Sequence, residues 1–335
     1  MEEILSPARI IRAVLIGVGL FILFLAVFCF FFSHTLFEMP RVVPDNSYPV
    51  PPPVNSTNTF RFQNESVTVT VFVNATVYSA AKNTFRGSIL LGNPDTINEQ
   101  FYGAMINDPT QETLYQDLIS QFRKIQAERN LTQDEYLELM TTYVQMLPYK
   151  RGENAPPKYP VELVVDNMGD CDDKALLLAG LLEREGYPVA LFKFGPESHM
   201  ALGVGSDAFL YKSTNYTYIE AMVPSFIGRP SFHIVEKRPL TSDPLVIPVS
   251  NGTLRYSSGN ETAWIVSMAD LAGQKITELS RACNETPLPG RTSPAYEETS
   301  RQLERYTAIQ KYIQNHPYDR VGVYKYLQRE MAGES

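Results

Sequence analysis

The stretch Gly169-Asp170-Cys171-Asp172-Asp173-Lys174-Ala175-Leu176-Leu177-Leu178-Ala179-Gly180-Leu181-Leu182 decides the fold. Asp170 offers a side-chain oxygen to cap a helix, and Asp172 and Asp173 fall in its positive first turn. Gly186 is placed to stop it. Between these signals the residues are apolar nearly all round, which predicts a helix over 170–185 buried in a domain core. It is too short and too well capped to cross a membrane.

Downstream, strand-like segments follow at 189–194, 199–204, 209–212 and 216–222. One buried helix followed by several short strands predicts an α+β fold with an antiparallel sheet. Upstream, Leu114, Leu118, Phe122 and Ile125 form one apolar stripe over 110–129. Thr132 and Glu135 read as a capping box that opens a helix through Tyr136, Leu139, Tyr143 and Met146. A Gly/Pro-punctuated loop follows at 150–160. Further back, valines at period two in 67–73, facing Phe60-Arg61-Phe62 across Asn64-Glu65, predict a hairpin. Beyond the sheet, 262–283 looks helical, 287–294 breaks the chain, and the rest is helical and amphipathic. There is no internal repeat.

Residues 13–33 carry an uninterrupted apolar run, AVLIGVGLFILFLAVFCFFF up to Phe32. Twenty helical residues rise about 30 Å, the thickness of a bilayer's hydrocarbon core. The rival is a cleavable signal peptide. The run ends in Phe30-Phe31-Phe32-Ser33-His34, which offers no small-residue cleavage site. Arg9 and Arg12 precede the run and Arg41 follows it, so charge orients it only weakly. Asn-x-Ser/Thr sequons occur at Asn55, Asn64, Asn74, Asn130, Asn215, Asn251, Asn260 and Asn284. Chance placement of the 17 Asn gives about two. All eight follow the apolar run, as expected for a glycoprotein whose bulk meets a glycosylation machinery outside the cytoplasm. A merely Ser/Thr-rich surface is the alternative. The expected layout is a cytoplasmic N-terminus at 1–12, a transmembrane helix at 13–33 and a Pro-rich stalk at 34–59. A β-hairpin region at 60–108, a catalytic core at 109–240 and a mainly helical extension at 241–335 complete it. The protein is expected to be single-pass in the cell membrane, with the lipid bilayer as one partner.

The 335 residues carry 29 Lys+Arg against 37 Asp+Glu, a net charge of −8, which argues against nucleic acid as a partner. Only 3 Cys and 4 His are present, so neither a disulfide-dense scaffold nor a multi-ligand zinc cluster can be built. No metal site or cofactor is expected, since no Gly-rich phosphate loop is visible.

That scarcity focuses the chemistry. Cys171 sits at a helix N-terminus, whose N–H groups and partial positive charge favour thiolate and could hold an oxyanion. Asp170, Asp172 and Asp173 oppose this, so a partner must take the proton. His199 opens a predicted strand, and Glu220 ends the next. Cys, His and carboxylate in those roles make an activated nucleophile for acyl transfer. Each residue also has a plainer reading. Cys171 could be an ordinary buried residue or half of a disulfide with Cys283, and His199 a structural histidine. Asp207 or Glu236 could replace Glu220 beside the ring. His233 reads as a loop residue, Cys29 as a packing residue, and Asp170 and Asp173 as caps rather than metal ligands.

The Gly169-Asp170-Cys171-Asp172-Asp173-Lys174-Ala175 helix, with Gly186-Tyr187, His199, Tyr218-Ile219-Glu220 and Ile227-Gly228-Arg229-Pro230, resembles the transglutaminase-like superfamily. The upstream Tyr143-Val144-Gln145, Pro148-Tyr149 and Tyr159-Pro160-Val161-Glu162 look like its archaeal and bacterial members. The resemblance covers about residues 110–235. It implies a papain-like core with Cys171 as nucleophile, His199 as general base and Glu220 as orienting acid, acting on amides through a thioester. Two departures stand out. The third member is Glu rather than the usual Asp, and the only Trp, Trp264, lies outside the match, leaving Gln145 as a replacement oxyanion or positioning group. The expected function is a membrane-anchored cysteine hydrolase or acyltransferase with a cell-surface protein or peptide substrate. A non-catalytic envelope binding or adhesion module is the alternative, and a maturation protease a third.

Overall fold

The structure, a computed structural model, describes residues 7–36, 39–45, 47, 52–86, 94–152, 156–230 and 240–333. Helix α1 (Pro7–Leu36) contains Ile11–Phe30, long and apolar enough to span a membrane and none of it buried against the rest of the chain. Strands β1 (Val54–Phe62) and β2 (Glu65–Val73) form the expected antiparallel hairpin, turned at Gln63, whose φ is 54°. Val67, Val69, Val71 and Val73 are buried on one face, while Thr57–Thr70 and Thr59–Thr68 hydroxyl pairs at 3.0 and 2.9 Å line the other. The hairpin starts inside the segment read as a stalk. Val42 is also buried, its N–H donating to Asp108 Oδ2 at 2.7 Å, so the stalk of 34–59 is not free along its length.

Helices α2 (Ala75–Asn83) and α3 (Pro94–Ile106) fill a region expected to hold only the hairpin. Helix α4 (Glu112–Arg129) covers the open edge of β2, where the Gln121 amide bonds both the N–H and the C=O of Thr70, at 3.0 and 2.7 Å. Helix α5 (Gln133–Met146) opens on the expected capping box, with Thr132 N–H donating to Glu135 and Glu135 N–H to Thr132. A short α6 (Pro160–Asp166) precedes α7 (Cys171–Arg184).

Residues Ala175 to Leu182 of α7 are fully buried. One face of the helix must be flat: a Cβ at Gly180 would lie 2.0 Å from Tyr115 Oη. The opposite surroundings are a four-stranded antiparallel sheet in the order β5-β4-β3-β6, made of β3 (Pro188–Phe194), β4 (His199–Gly205), β5 (Tyr216–Ile219) and β6 (Leu245–Asn251). Two expectations are corrected here. No strand forms at 209–212, because Phe209 and Lys212 have φ of 56° and 48°, left-handed values that break an extended run. Strand β6 arises from the part read as a helical extension, so a core ending at 240 would cut the sheet. Pro248 hid that strand, since proline is tolerated at an edge but erases the sequence signal of a strand.

Helices α8 (Gly259–Glu285), α9 (Pro294–Asn315) and α10 (Arg320–Ala332) build a second core around Ile265, Met268, Ala272, Ile309, Ile313, Val323 and Leu327. Arg320 joins it to α5, its guanidinium meeting Glu138 at 2.5 Å and also Glu261. The described chain is thus a mixed α+β fold with one N-terminal apolar helix.

Candidate active site

Cys171 is the first residue of α7, and the ladder between β4 and β5 explains what it touches. That ladder stops at the pair Leu202–Ile219, so β5 offers no partner to Met200. The Met200 amide instead stands close enough to Cys171 to favour its thiolate. The nucleophile candidate thus lies near the residue that follows His199.

Strand periodicity brings the other two together. Gly203 lies opposite Tyr218, and Phe194 opposite His199, so His199, Tyr218, Glu220 and Phe194 share one face of the sheet. His199 Nε2 lies 3.3 Å from Glu220 Oε2 and 3.3 Å from Tyr218 Oη. Tyr218 in turn donates its proton to Glu220 Oε2 at 2.9 Å, while Met222 N–H donates to Glu220 Oε1 at 3.0 Å. Two oxygens facing Nε2 assign the imidazole proton to that nitrogen and the lone pair to Nδ1. The ring is stacked on Phe194, with centroids 6.1 Å apart and planes at 26°. Glu220 is fully buried and Cys171 partly so.

The electrostatics around the sulfur run against the expected thiolate. Burial pushes the Cys171 thiol up to about 12, Asp172, Asp170 and Glu220 adding to the effect and the Met200 amide opposing it. Burial and Asp170 also raise Asp172, and burial with Asp170 raises Asp173. Asp173 accepts from the Asp170 and Lys158 amides at 3.1 and 2.6 Å, and Asp170 from Gly152 N–H at 3.1 Å. These hydrogen bonds are helix-start and loop-holding contacts. Cys171, Cys283 and Cys29 are all free thiols, so the Cys171–Cys283 disulfide is not formed.

Gln145 has a different place from the oxyanion role considered for it. Its Nε2 donates to Glu220 O at 2.8 Å and Ser225 O at 3.0 Å, and its Oε1 accepts from Ser225 N–H at 3.3 Å. Both amide protons are committed to the loop after β5, so Gln145 holds that loop and has none left for an oxyanion. Lys174, unassigned by sequence reasoning, is fully buried and donates to Gln145 O, Leu147 O and Met222 O at 3.0, 2.8 and 2.7 Å. Tyr218 was missed as well, though alternation two residues before Glu220 was signal enough. Tyr102 of α3 and Tyr149, paired to Gly169, stand near Cys171, and burial is the main cause that raises both phenols. Asp207 is exposed beyond the far end of β4 from His199, and His233 and Glu236 lie outside the described residues.

All eight sequon asparagines, Asn55 to Asn284, are exposed. No protein-family model, curated protein or solved structure matches the chain.

Proposed function

We propose that the protein is a membrane-anchored cysteine hydrolase or acyltransferase of the transglutaminase-like type, with a papain-like core facing away from the cytoplasm. The observation that carries the reading is an imidazole, His199, oriented by the buried Glu220 and by Tyr218, with the same Glu220 near enough to Cys171 to raise its thiol. The free Nδ1 makes His199 the base. As the sulfur attacks an amide carbon, the thiol proton passes to Nδ1, the C–S bond forms and the carbonyl oxygen becomes an oxyanion. The N-terminal amides of α7 are the donors suited to that oxyanion. The imidazolium then protonates the leaving nitrogen, the C–N bond breaks, and a thioester remains for water or an amine to resolve. Because burial and carboxylates keep the thiol neutral, the proton moves during attack, and there is no standing thiolate–imidazolium pair. The apolar α1 and the exposed sequons support an anchored, outward-facing arrangement.

The test is ammonia release, and incorporation of a fluorescent primary amine into casein, by the full chain in detergent micelles. Turnover that vanishes in Cys171→Ala is expected. Turnover retained in Cys171→Ala overturns the reading, and absence of any Cys171-dependent turnover on glutamine-bearing proteins and peptides favours the envelope binding module.

A further inference from the structure

Lys174 is a buried ammonium that the reaction above does not use. It follows Cys171 by one turn of α7, and its side chain is fully enclosed. An ammonium has three protons, and Lys174 finds three carbonyls at 3.0, 2.8 and 2.7 Å, a match that a neutral amine with two protons cannot make. Two of those carbonyls, of Gln145 and Leu147, belong to the end of α5. The third belongs to Met222, and the same residue's N–H donates to Glu220 Oε1 at 3.0 Å. Burial pushes the Lys174 ammonium down to about 7, and the Glu220 carboxylate opposes that, so the three carbonyls and Glu220 are what hold the charge there. One cation therefore touches, through a single residue, the acid that orients the imidazole.

We infer that Lys174 is a positioning residue for Glu220, clamping Met222 so that its N–H fixes the carboxylate, and balancing that carboxylate's charge beside His199. The inference rests on the acyl-transfer reading of the same site. The titratable groups facing this cluster are known from each side. Glu220 and Tyr218 come from β5 and its end, Cys171 and Asp172 from α7 with Asp170 just before it, Tyr102 from α3 and Tyr149 from the segment paired to Gly169. Strand β3 contributes the uncharged Phe194, and Asp173 is turned to the Asp170 and Lys158 amides. Removing the cation leaves the Glu220 charge unopposed, which favours imidazolium and raises the pH below which the base is lost.

The experiment is the pH dependence of Cys171 alkylation by iodoacetamide in the full chain in detergent micelles, with Cys29 and Cys283 changed to Ser. In the otherwise unaltered protein the rate is expected to hold level and then fall on acidification; His199→Ala is expected to remove that break and leave the steady loss, about tenfold per unit, of an unassisted thiol below its pKa. Lys174→Met is expected to move that fall upward by about half to one pH unit, and to slow alkylation above it about tenfold. A merely structural defect would lower the rate without moving the fall. Glu220→Gln is expected to cancel the shift, because Lys174 acts through Glu220. Should Lys174→Met not fold, Lys174→Arg keeps the charge and is expected to lose rate with the fall in place. A level stretch and break missing from the unaltered protein, or surviving His199→Ala, sinks the acyl-transfer reading itself. With the fall intact, an unmoved profile in Lys174→Met, a shift that persists beside Glu220→Gln, or a shifted fall in Lys174→Arg overturns the Lys174 inference alone.

Discussion

At Cys171 two effects compete, and their sizes decide the chemistry. A helix N-terminus contributes typically under 1 kcal/mol in favour of thiolate, while burial and neighbouring carboxylates push the thiol up to about 12. The thiolate absorbance of Cys171, read as a difference between the protein and Cys171→Ala, is therefore expected to be absent at neutral pH. The sign for stability follows. A folded thiol whose pKa exceeds its unfolded value retains a proton that the unfolded chain gives up, so stability falls as pH rises through that interval. Urea midpoints of the protein and Cys171→Ala, compared at neutral and at alkaline pH, should show the parent losing ground to the variant on the alkaline side. Glu220→Gln should slow turnover about 10- to 100-fold, as expected for a group that orients another, and less than His199→Ala. Cys171 and His199 could be singled out in the sequence because only 3 Cys and 4 His are present, whereas the His199–Glu220 pairing among 37 acidic residues needed the strand order. The raised thiol could not be read there, because it depends on burial of the whole helix start.

Elements differ in how plainly their residues announce them. Helix α7 and the Thr132 start of α5 were legible because capping residues act locally. Strand β6 and helices α2, α3 and α6 were not, since their form is set by packing on partners distant in sequence. Local capping yields a local test. Thr132→Ala should cost about 1 kcal/mol in chemical denaturation. Gly180→Ala tests long-range packing, because a methyl there meets Tyr115 inside a filled core. It should cost about 1–3 kcal/mol by the same measurement, although alanine is the better helix former.

Across the whole molecule, the sheet core and the C-terminal helices meet through Arg320, which pairs with Glu138 of α5 and Glu261 of α8. Helix α5 also supplies the carbonyl of Gln145 to Lys174 and the Gln145 amide to the Glu220 loop, so the junction lies on the element that supports the site. Arg320→Ala leaves Glu138 buried without its cation and should destabilise the chain by about 3–5 kcal/mol, visible as a lower Tm. Nothing in the sequence marks residue 320 as the partner of residue 138, so that junction was beyond sequence reasoning. The membrane-length helix, by contrast, needed only its own composition. One comparison bears most directly on the whole: the mass-spectrometric rate of iodoacetamide alkylation at Cys171, at neutral pH, in the parent protein and in His199→Ala, with alkylation of Cys283 followed as an internal reference. If the imidazole draws the proton from the sulfur, Cys171 should react about tenfold faster or more in the parent, with Cys283 unchanged. Equal rates in the two proteins would mean that the sulfur and the ring do not act together.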